Sequence, residues 1–482
     1  MPSSRADAPG AGRARQPSAV EWLARLEAGE LSARELTQHY IERVGEANAR
    51  LNALVAFDPE AALRAADAAD TARARGERLP LLGLPVTVKD SLEVAGLPAT
   101  GGSLARAGHV PERDATVVRR LRDVGAIVLA KTNLPEYSSS YETDNLVQGR
   151  TLHPLDPERT PGGSSGGEAA LAAADATPLG LGTDGGGSIR VPAHYCGVFG
   201  LRPTVGRVPM TGNWPATRAS GYADLYCAGP IARFARDLAL VLPLIAGPDR
   251  IDPYAVPAAL ASERPDPAAL RVGWFVDSPR VAVTAGTEAA VTAAVRSLAD
   301  AGASVGPVVP PWDPDPTELF MTAVVADGGA QARADVAAAG GRHHRQFQEF
   351  LDAAAERALS AERWFAVQRD IFDLRAAMRR LFDGLDVLVC PVAAGPAPRH
   401  GMPPADLPQE EYGRYRAFDF VHLVAIAGLP AASVPISSEG GLPVGVQVVG
   451  PPFREDLVLG AAALLESATD VAPLVATGEA AP

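Results

Sequence analysis

The chain has 482 residues, a formal net charge of −13, 47% hydrophobic and 21% charged residues. That length supports a deep core, as about three domain-sized units or one unusually large α/β unit, and the composition excludes a disordered or fibrous chain. The acidic balance argues against a nucleic-acid or membrane-surface binder, and three distant cysteines (Cys196, Cys227, Cys390) cannot form a disulfide framework or a metal knuckle.

Residues 1–17 are rich in Ser, Ala, Gly and Arg and lack an apolar h-region. A solvated tail is expected there, ahead of a transit-peptide reading, and a cytoplasmic protein. No segment reaches the roughly 18 consecutive apolar residues of a membrane span. Two capping boxes, Ser18-x-x-Glu21 and Ser32-x-x-Glu35, open helices, the second placing Leu36, Tyr40, Ile41 and Val44 on one face. Asp58-Pro59 starts a third helix, so residues 18–78 read as a helical arm. In Leu84–Asp90, Val86 and Val88 alternate with Thr87 and Lys89, the period of a strand with Lys89 near its C-terminal end. Asp114 is placed as the cap of a helix carrying Val117, Val118, Leu121 and Val124, stopped by Gly125. Ala126–Ala130 follows as a buried strand, then a loop–helix–strand unit over Gly162, Glu168–Ala174 and Pro178–Gly182. Residues 248–380 read as Ala-rich helix broken by Pro-rich turns. Late strands fall at Leu385–Cys390, Ala432–Ile436 and Val444–Val449. Alternating helices and buried strands imply an α/β fold with helices on both faces of a sheet.

Of 44 basic residues only two, Lys89 and Lys131, are lysine. Arginine keeps its proton in a protein and a buried lysine can lose it, so these two are candidates for work arginine cannot do. Two Gly/Ser clusters supply further chemistry: Gly162-Gly-Ser-Ser-Gly-Gly167 and Gly182-Thr-Asp-Gly-Gly-Gly-Ser-Ile-Arg190. Both lie between apolar elements, which disfavours a linker, and neither carries the Gly-Lys-Ser/Thr of a phosphate loop. Gly162-Gly-Ser164-Ser-Gly166 also fits the G-x-S-x-G elbow of α/β-hydrolases, but that elbow needs a strand directly before it, and Asp156–Pro161 is polar and Pro-broken. The second cluster follows a strand and opens a short helix at Ser188 closed by Gly197. Its glycines let successive N–H groups converge to stabilise the oxyanion of an acyl-transfer intermediate. No histidine sits in an obvious motif; His194, near Ser188, reads as a satisfied core residue. Lys89, neutralised by burial, is the better base.

These motifs, with Lys131-Thr-Asn133, Cys196–Thr204 and Gly441-Leu-Pro-Val-Gly-Val-Gln447, resemble the amidase signature family over roughly residues 18–470. The resemblance implies one large α/β/α domain around a mixed, twisted sheet. It divides into the helical arm (18–78), a signature core (79–247), a variable helical cover (248–380) and C-terminal strands and helices (381–470), with a tail at 471–482. It also implies Ser188 as nucleophile, Ser164 beside a cis peptide as the bridging serine and Lys89 as base. Gly185, Gly186, Gly187 and Ser188 would supply oxyanion N–H groups. Ser165, Asp184 and Arg190 would support the loop, Ser138 would contact substrate, and Lys131 would satisfy backbone carbonyls. Gly185 departs from the family, which more often has a larger residue there, and a looser loop is the expectation. The substrate class is a small-molecule amide, ester or carbamate (urethane), with no cofactor, metal, nucleic acid or membrane. A homodimer is the simplest assembly considered. Residues 312–382 hold eight of the 27 aromatics, read either as helix core or as an apolar cover favouring aryl or alkyl substrates. The alternative is a component like the A subunit of an amidotransferase, working in a multi-subunit complex on aminoacyl-tRNA. Against it, Ala223–Pro230 lacks that component's usual Ser-Ser-Leu-Asp-Gln-x-Gly-Pro.

Overall fold

The computed structural model describes residues 17–216, 224–261, 266–402 and 413–468. The expected tails therefore lie outside the described residues, apart from Pro17. Both capping boxes form. Ser18 Oγ accepts from Glu21 N at 3.1 Å while Glu21 accepts from Ser18 N at 2.7 Å, and Ser32 and Glu35 repeat the exchange. Leu36, Tyr40 and Val44 are buried, with Ile41 half-buried at the rim of their face. Asp58 caps the third helix, Pro59–Ala74, with Pro59 in its first turn.

Among the described residues, eleven strands form one mixed sheet. They are β1 (Leu54–Phe57), β2 (Pro85–Lys89), β3 (Ile127–Thr132), β4 (Gly180–Asp184), β5 (Phe199–Arg202), β6 (Cys227–Ala232), β7 (Arg271–Trp274), β8 (Ser304–Pro307), β9 (Val387–Pro391), β10 (Ala431–Glu439) and β11 (Leu442–Val449). Their order is β1-β3-β2-β4-β6-β5-β10-β11-β9-β7-β8. The structure is thus a single large α/β domain, as its sequence pattern implies. Three features differ from expectation. β1 lies inside the supposed helical arm and pairs antiparallel with β3. β7 and β8 lie inside the supposed helical cover and extend the sheet beyond β9. β5 and β6, rich in Gly and Ala, bridge the two halves.

Asp114 does not cap its helix. The cap position of Thr116–Asp123 is Ala115, without a side-chain bond, and Asp114 instead accepts from Ala95 N at 2.8 Å and pairs with Arg122 at 2.9 Å. An adjacent loop N–H and a guanidinium outcompete the helix terminus for that carboxylate.

The arrangement that positions the site is the parallel run β3-β2-β4. Lys89 stands opposite Thr132 on β3, and Val88 opposite Leu181 on β4. All three strands therefore end on one edge, where Lys89, Thr132 and Asp184 emerge together. β2 and β4 are buried on both faces. The polar face of β2 is not a solvent face, because the helix Gly166–Ala173 packs over it and Glu168 accepts from Thr87 Oγ1 at 2.6 Å. No helix among the described residues is long and apolar enough to cross a membrane.

Candidate active site

Lys89, last residue of β2, is fully buried. Its Nζ lies 2.6 Å from Ser164 Oγ and 2.9 Å from Thr183 Oγ1. Ser164 is held against it by a tight turn with a cis Gly163–Ser164 peptide, just before the helix Gly166–Ala173. Burial pushes the Lys89 pKa down to about 7, against the pull of Asp184 and Glu168. Desolvation wins because neither carboxylate contacts the amine directly. Glu168, equally buried, is pushed up to about 8, against the hydroxyls of Thr87 and Thr132 (2.6 and 2.7 Å) that favour its charged form.

β4 ends at Asp184 and the chain turns through three glycines to Ser188, just before the helix Arg190–Cys196. Asp184 organises that turn. Its carboxylate accepts from Gly187 N at 2.8 Å, Ile189 N at 3.1 Å, Arg190 Nε and Nη2 at 3.1 Å and Arg202 Nη1 at 2.9 Å. Burial alone would raise its pKa, but the two guanidiniums and the Gly187 N–H hold it well below the usual carboxylate range. Asp184 and Arg190 thus brace one another, and Arg202, which sequence reasoning did not single out, is the third member. Ser165 joins the two serine loops: its N–H donates to the Ser188 carbonyl at 3.1 Å, and its hydroxyl donates to Thr183 O at 3.2 Å.

The expected four-donor oxyanion set needs one correction. The Gly187 N–H is committed to Asp184, which leaves Gly185, Gly186 and Ser188 as candidate donors. Gly187, at φ +122°, has a backbone conformation that side chains rarely adopt. A Cβ at Gly185 would stand 2.5 Å from the Tyr226 ring, which fills the space a larger residue would take.

Ser188 opens onto a solvent-accessible cleft. The cleft is lined by the rings of Tyr137, Tyr141, Tyr226, Phe320, Phe350 and Tyr415, and by no Asp, Glu, Lys, Arg or His among the described residues. Ser138 also faces it, at φ +56°, with a buried hydroxyl that has no hydrogen-bond partner. Of the aromatics in 312–382, Phe320 and Phe350 join the wall, while Phe347 and Phe382 are core and Phe365 and Phe372 are exposed.

The structure therefore brings Lys89 against Ser164 and links Ser188 to that pair through Ser165. Lys131, fully buried, donates to one backbone carbonyl, Pro98 O, at 3.1 Å, and its other partner, which was not expected, is Asp90 at 2.8 Å. Asp90 in turn accepts from Thr100 N at 2.9 Å and Gly101 N at 3.0 Å, so this ion pair fixes a loop. His194 is a satisfied core histidine, donating to Gly395 O at 3.1 Å and accepting from Gly445 N at 2.9 Å. Sequence reasoning missed Thr183, Glu168, Tyr141 and His422. For two of them a signal exists: Glu168 is one acid in an Ala/Gly helix, and His422 one polar residue in the apolar run Phe420–Ile426. Among the described residues no cluster of three or more His, Cys, Asp or Glu could hold a metal.

A serine loop over a buried lysine on a mixed α/β sheet defines the class, and comparison with known proteins defines the family. The chain belongs to the amidase family, whose model matches residues 35–459. It is 36% identical to the A subunit of the glutamyl-tRNA(Gln) amidotransferase of Thermus thermophilus, over 96% of this chain and 99% of that one. It is 34% identical to an indoleacetamide hydrolase of Bradyrhizobium diazoefficiens, over 95% of this chain and 87% of that one. A solved bacterial aryl acylamidase of the amidase signature family superposes with a TM-score of 0.85 at 26% identity, covering 97% of this chain and 99% of the other.

Proposed function

We propose that this protein hydrolyses the C–N bond of neutral small-molecule amides bearing an aromatic or apolar group, through Ser188, Ser164 and Lys89. The observation that carries the reading is the fully buried Lys89 amine 2.6 Å from Ser164, behind a cleft onto which Ser188 opens. Neutral Lys89 takes the Ser164 proton as Ser164 takes that of Ser188, and Ser188 Oγ attacks the carbonyl carbon. N–H groups of Gly185, Gly186 and Ser188 receive the oxyanion. The proton then returns along the same path to the leaving nitrogen, the C–N bond breaks, and water attacks the acyl-enzyme to free the acid and Ser188. Asp184, Arg190 and Ser165 hold the loop, and the unpartnered Ser138 hydroxyl offers substrate a polar contact. Aryl esters and carbamates present the same carbonyl to the same groups and need no further machinery.

The second reading, one component of an amidotransferase complex, is favoured by the Thermus relative. The wall of the cleft speaks against it. A free amino acid such as glutamine carries two charges, and among the described residues the wall offers neither acid nor base to pair them, at a cost of several kcal/mol.

The test is a turnover panel of anilide, primary amide, glutamine, aryl ester and aryl carbamate on the isolated chain, with Ser188→Ala as blank. Anilide turnover is expected, with none from Ser188→Ala and a serine-directed phosphonate tag on Ser188. Turnover by Ser188→Ala, or a tag on Ser164, overturns the assignment. Glutamine as the only substrate moves the protein to the second reading.

A further inference from the structure

The Gly186 carbonyl, between the candidate donors Gly186 N–H and Ser188 N–H, heads a chain of contacts. Tyr141 Oη lies 2.6 Å from Gly186 O and 2.7 Å from His422 Nε2. His422 Nδ1 lies 2.9 Å from Thr317 Oγ1, and Thr317 Oγ1 lies 2.5 Å from Asp419 Oδ1. Asp419 also takes the Ser278 hydroxyl at 2.7 Å, and Arg416 stands 3.6 Å away. These parts come from five separate stretches of chain, and His422, Thr317 and Asp419 are fully buried.

Proton counting gives the chain a direction. The carbonyl of Gly186 can only accept, so Tyr141 donates to it, and Thr317 has one hydroxyl proton to offer Asp419 Oδ1 and His422 Nδ1. His422 must then donate from Nε2 to the Tyr141 oxygen, since otherwise two lone pairs would face each other at 2.7 Å. Nδ1 is then the acceptor of the ring, and its contact with Thr317 Oγ1, the longest of the four, takes a share of that one hydroxyl proton. Burial, with Arg190 and Arg416 nearby, holds the imidazole neutral by pushing its pKa down to about 3.

The same peptide is held at its other end, where Gly187 N–H donates to Asp184 at 2.8 Å. Phe320 stacks on His422 at 4.4 Å between centroids and also presses on Gly186, where a Cβ would collide with its ring. The Gly186–Gly187 peptide plane thus has both polar ends tied and one face covered.

We propose that Tyr141, backed by His422, Thr317 and Asp419, is a positioning residue for the oxyanion loop: its hydroxyl fixes the Gly186–Gly187 peptide and so aims the flanking N–H groups of Gly186 and Ser188 at the substrate carbonyl. The proposal rests on Ser188 as nucleophile. Donors aimed at developing charge act on the transition state more than on ground-state binding, so the loss on cutting the chain falls on kcat.

The test uses Tyr141→Phe, His422→Leu and His422→Gln on the anilide, with thermal unfolding as a check on folding. Tyr141→Phe is expected to lower kcat about tenfold or more with KM within about twofold, a fraction of the loss from deleting an oxyanion donor outright. His422→Leu matches it. His422→Gln, which keeps an N–H at similar reach, recovers most of the rate. The double variant Tyr141→Phe/His422→Leu is no worse than Tyr141→Phe, because both cut one chain. A Tyr141→Phe kcat within twofold of the parent, a loss carried by KM alone, or single effects that multiply would each overturn the proposal. If His422→Leu does not fold, Tyr141→Phe and His422→Gln decide it. An active Ser188→Ala points instead to a failed nucleophile assignment, whereas an inactive Ser188→Ala beside a fully active Tyr141→Phe sinks the loop proposal alone.

Discussion

Replacing Lys89 by arginine keeps a cation at the end of β2 and removes the ability to lose a proton. With its pKa near 7, the lysine is about nine-tenths neutral at pH 8, whereas a guanidinium with a pKa above about 12 is neutral in about one molecule in 10⁴. If the neutral amine is the base, kcat/KM for an anilide at pH 8 should fall about 10⁴-fold in Lys89→Arg. The parent enzyme should show an acid limb, with kcat/KM rising tenfold per pH unit below about pH 7 and level above it. The same burial has a stability signature. The native amine holds its proton only below about pH 7, and the unfolded one up to 10.5. Between those values the unfolded chain binds the extra proton, so stability rises with pH across that window and the full penalty, about 5 kcal/mol, applies below pH 7. Lys89→Met, free of that penalty, should gain most over the parent at or below pH 7, and the difference in unfolding free energy should shrink toward pH 10. Rates come from continuous absorbance of released aniline, and stabilities from denaturant unfolding at each pH. A flat pH–rate profile between pH 5 and 9, or Lys89→Arg retaining a hundredth of the parent rate, would refute the neutral-lysine argument.

Lys131→Met should cost about 3–5 kcal/mol in denaturant unfolding, because it leaves the buried Asp90 carboxylate without its ion-pair partner; a loss under 1 kcal/mol would mean that pair is not structural. Lys131→Arg keeps the charge and should retain far more activity than Lys89→Arg in the same assay. Gly185→Ala puts a Cβ 2.5 Å from Tyr226 and should cost about 1–3 kcal/mol through displacement of that ring, with a parallel fall in anilide kcat/KM; unchanged stability would show that the ring yields freely. Arg202→Gln removes one of the two guanidiniums on Asp184, leaves more of its negative field for Lys89, and should move the acid limb of kcat/KM upward in pH; a downward move contradicts the sign.

The elements legible in the sequence are those specified by local signals. Capping boxes at Ser18 and Ser32 and the Asp58-Pro59 start act within one turn of their own helix, and the structure has all three. Asp114 fails by the same standard: its carboxylate has a local use, but Ala95 N and Arg122 compete for it through tertiary contact. β1, β7 and β8 are four-residue strands, too short for period-2 alternation to stand out from the helical patterns around them. Lys89, Ser164 and Ser188 were visible through their glycine-rich surroundings and the scarcity of lysine. Tyr141, Thr317 and His422 were not, because no spacing in sequence joins residues that meet only when 281 positions of chain close on each other.

The buried ions around Lys89 explain how burial lowers the pKa of a lysine beside two carboxylates. Asp184 and Glu168 both favour its charged form, and an unpaired carboxylate in so dry a site would bind it as an ion pair and end its usefulness as a base. Each is dealt with differently. Asp184 faces two guanidiniums, Arg190 and Arg202, which leave it little field to exert on the amine. Glu168 is itself pushed toward its neutral form by burial, so it carries less charge at the pH where Lys89 must act. Arginine, with a proton it keeps, is suited to the first task and excluded from the second role at this strand end. The scarcity of lysine thus acquires a physical meaning at one position: around Asp184 the chain uses arginine where permanent charge is needed, and on the proposed mechanism Lys89 stands where charge must come and go.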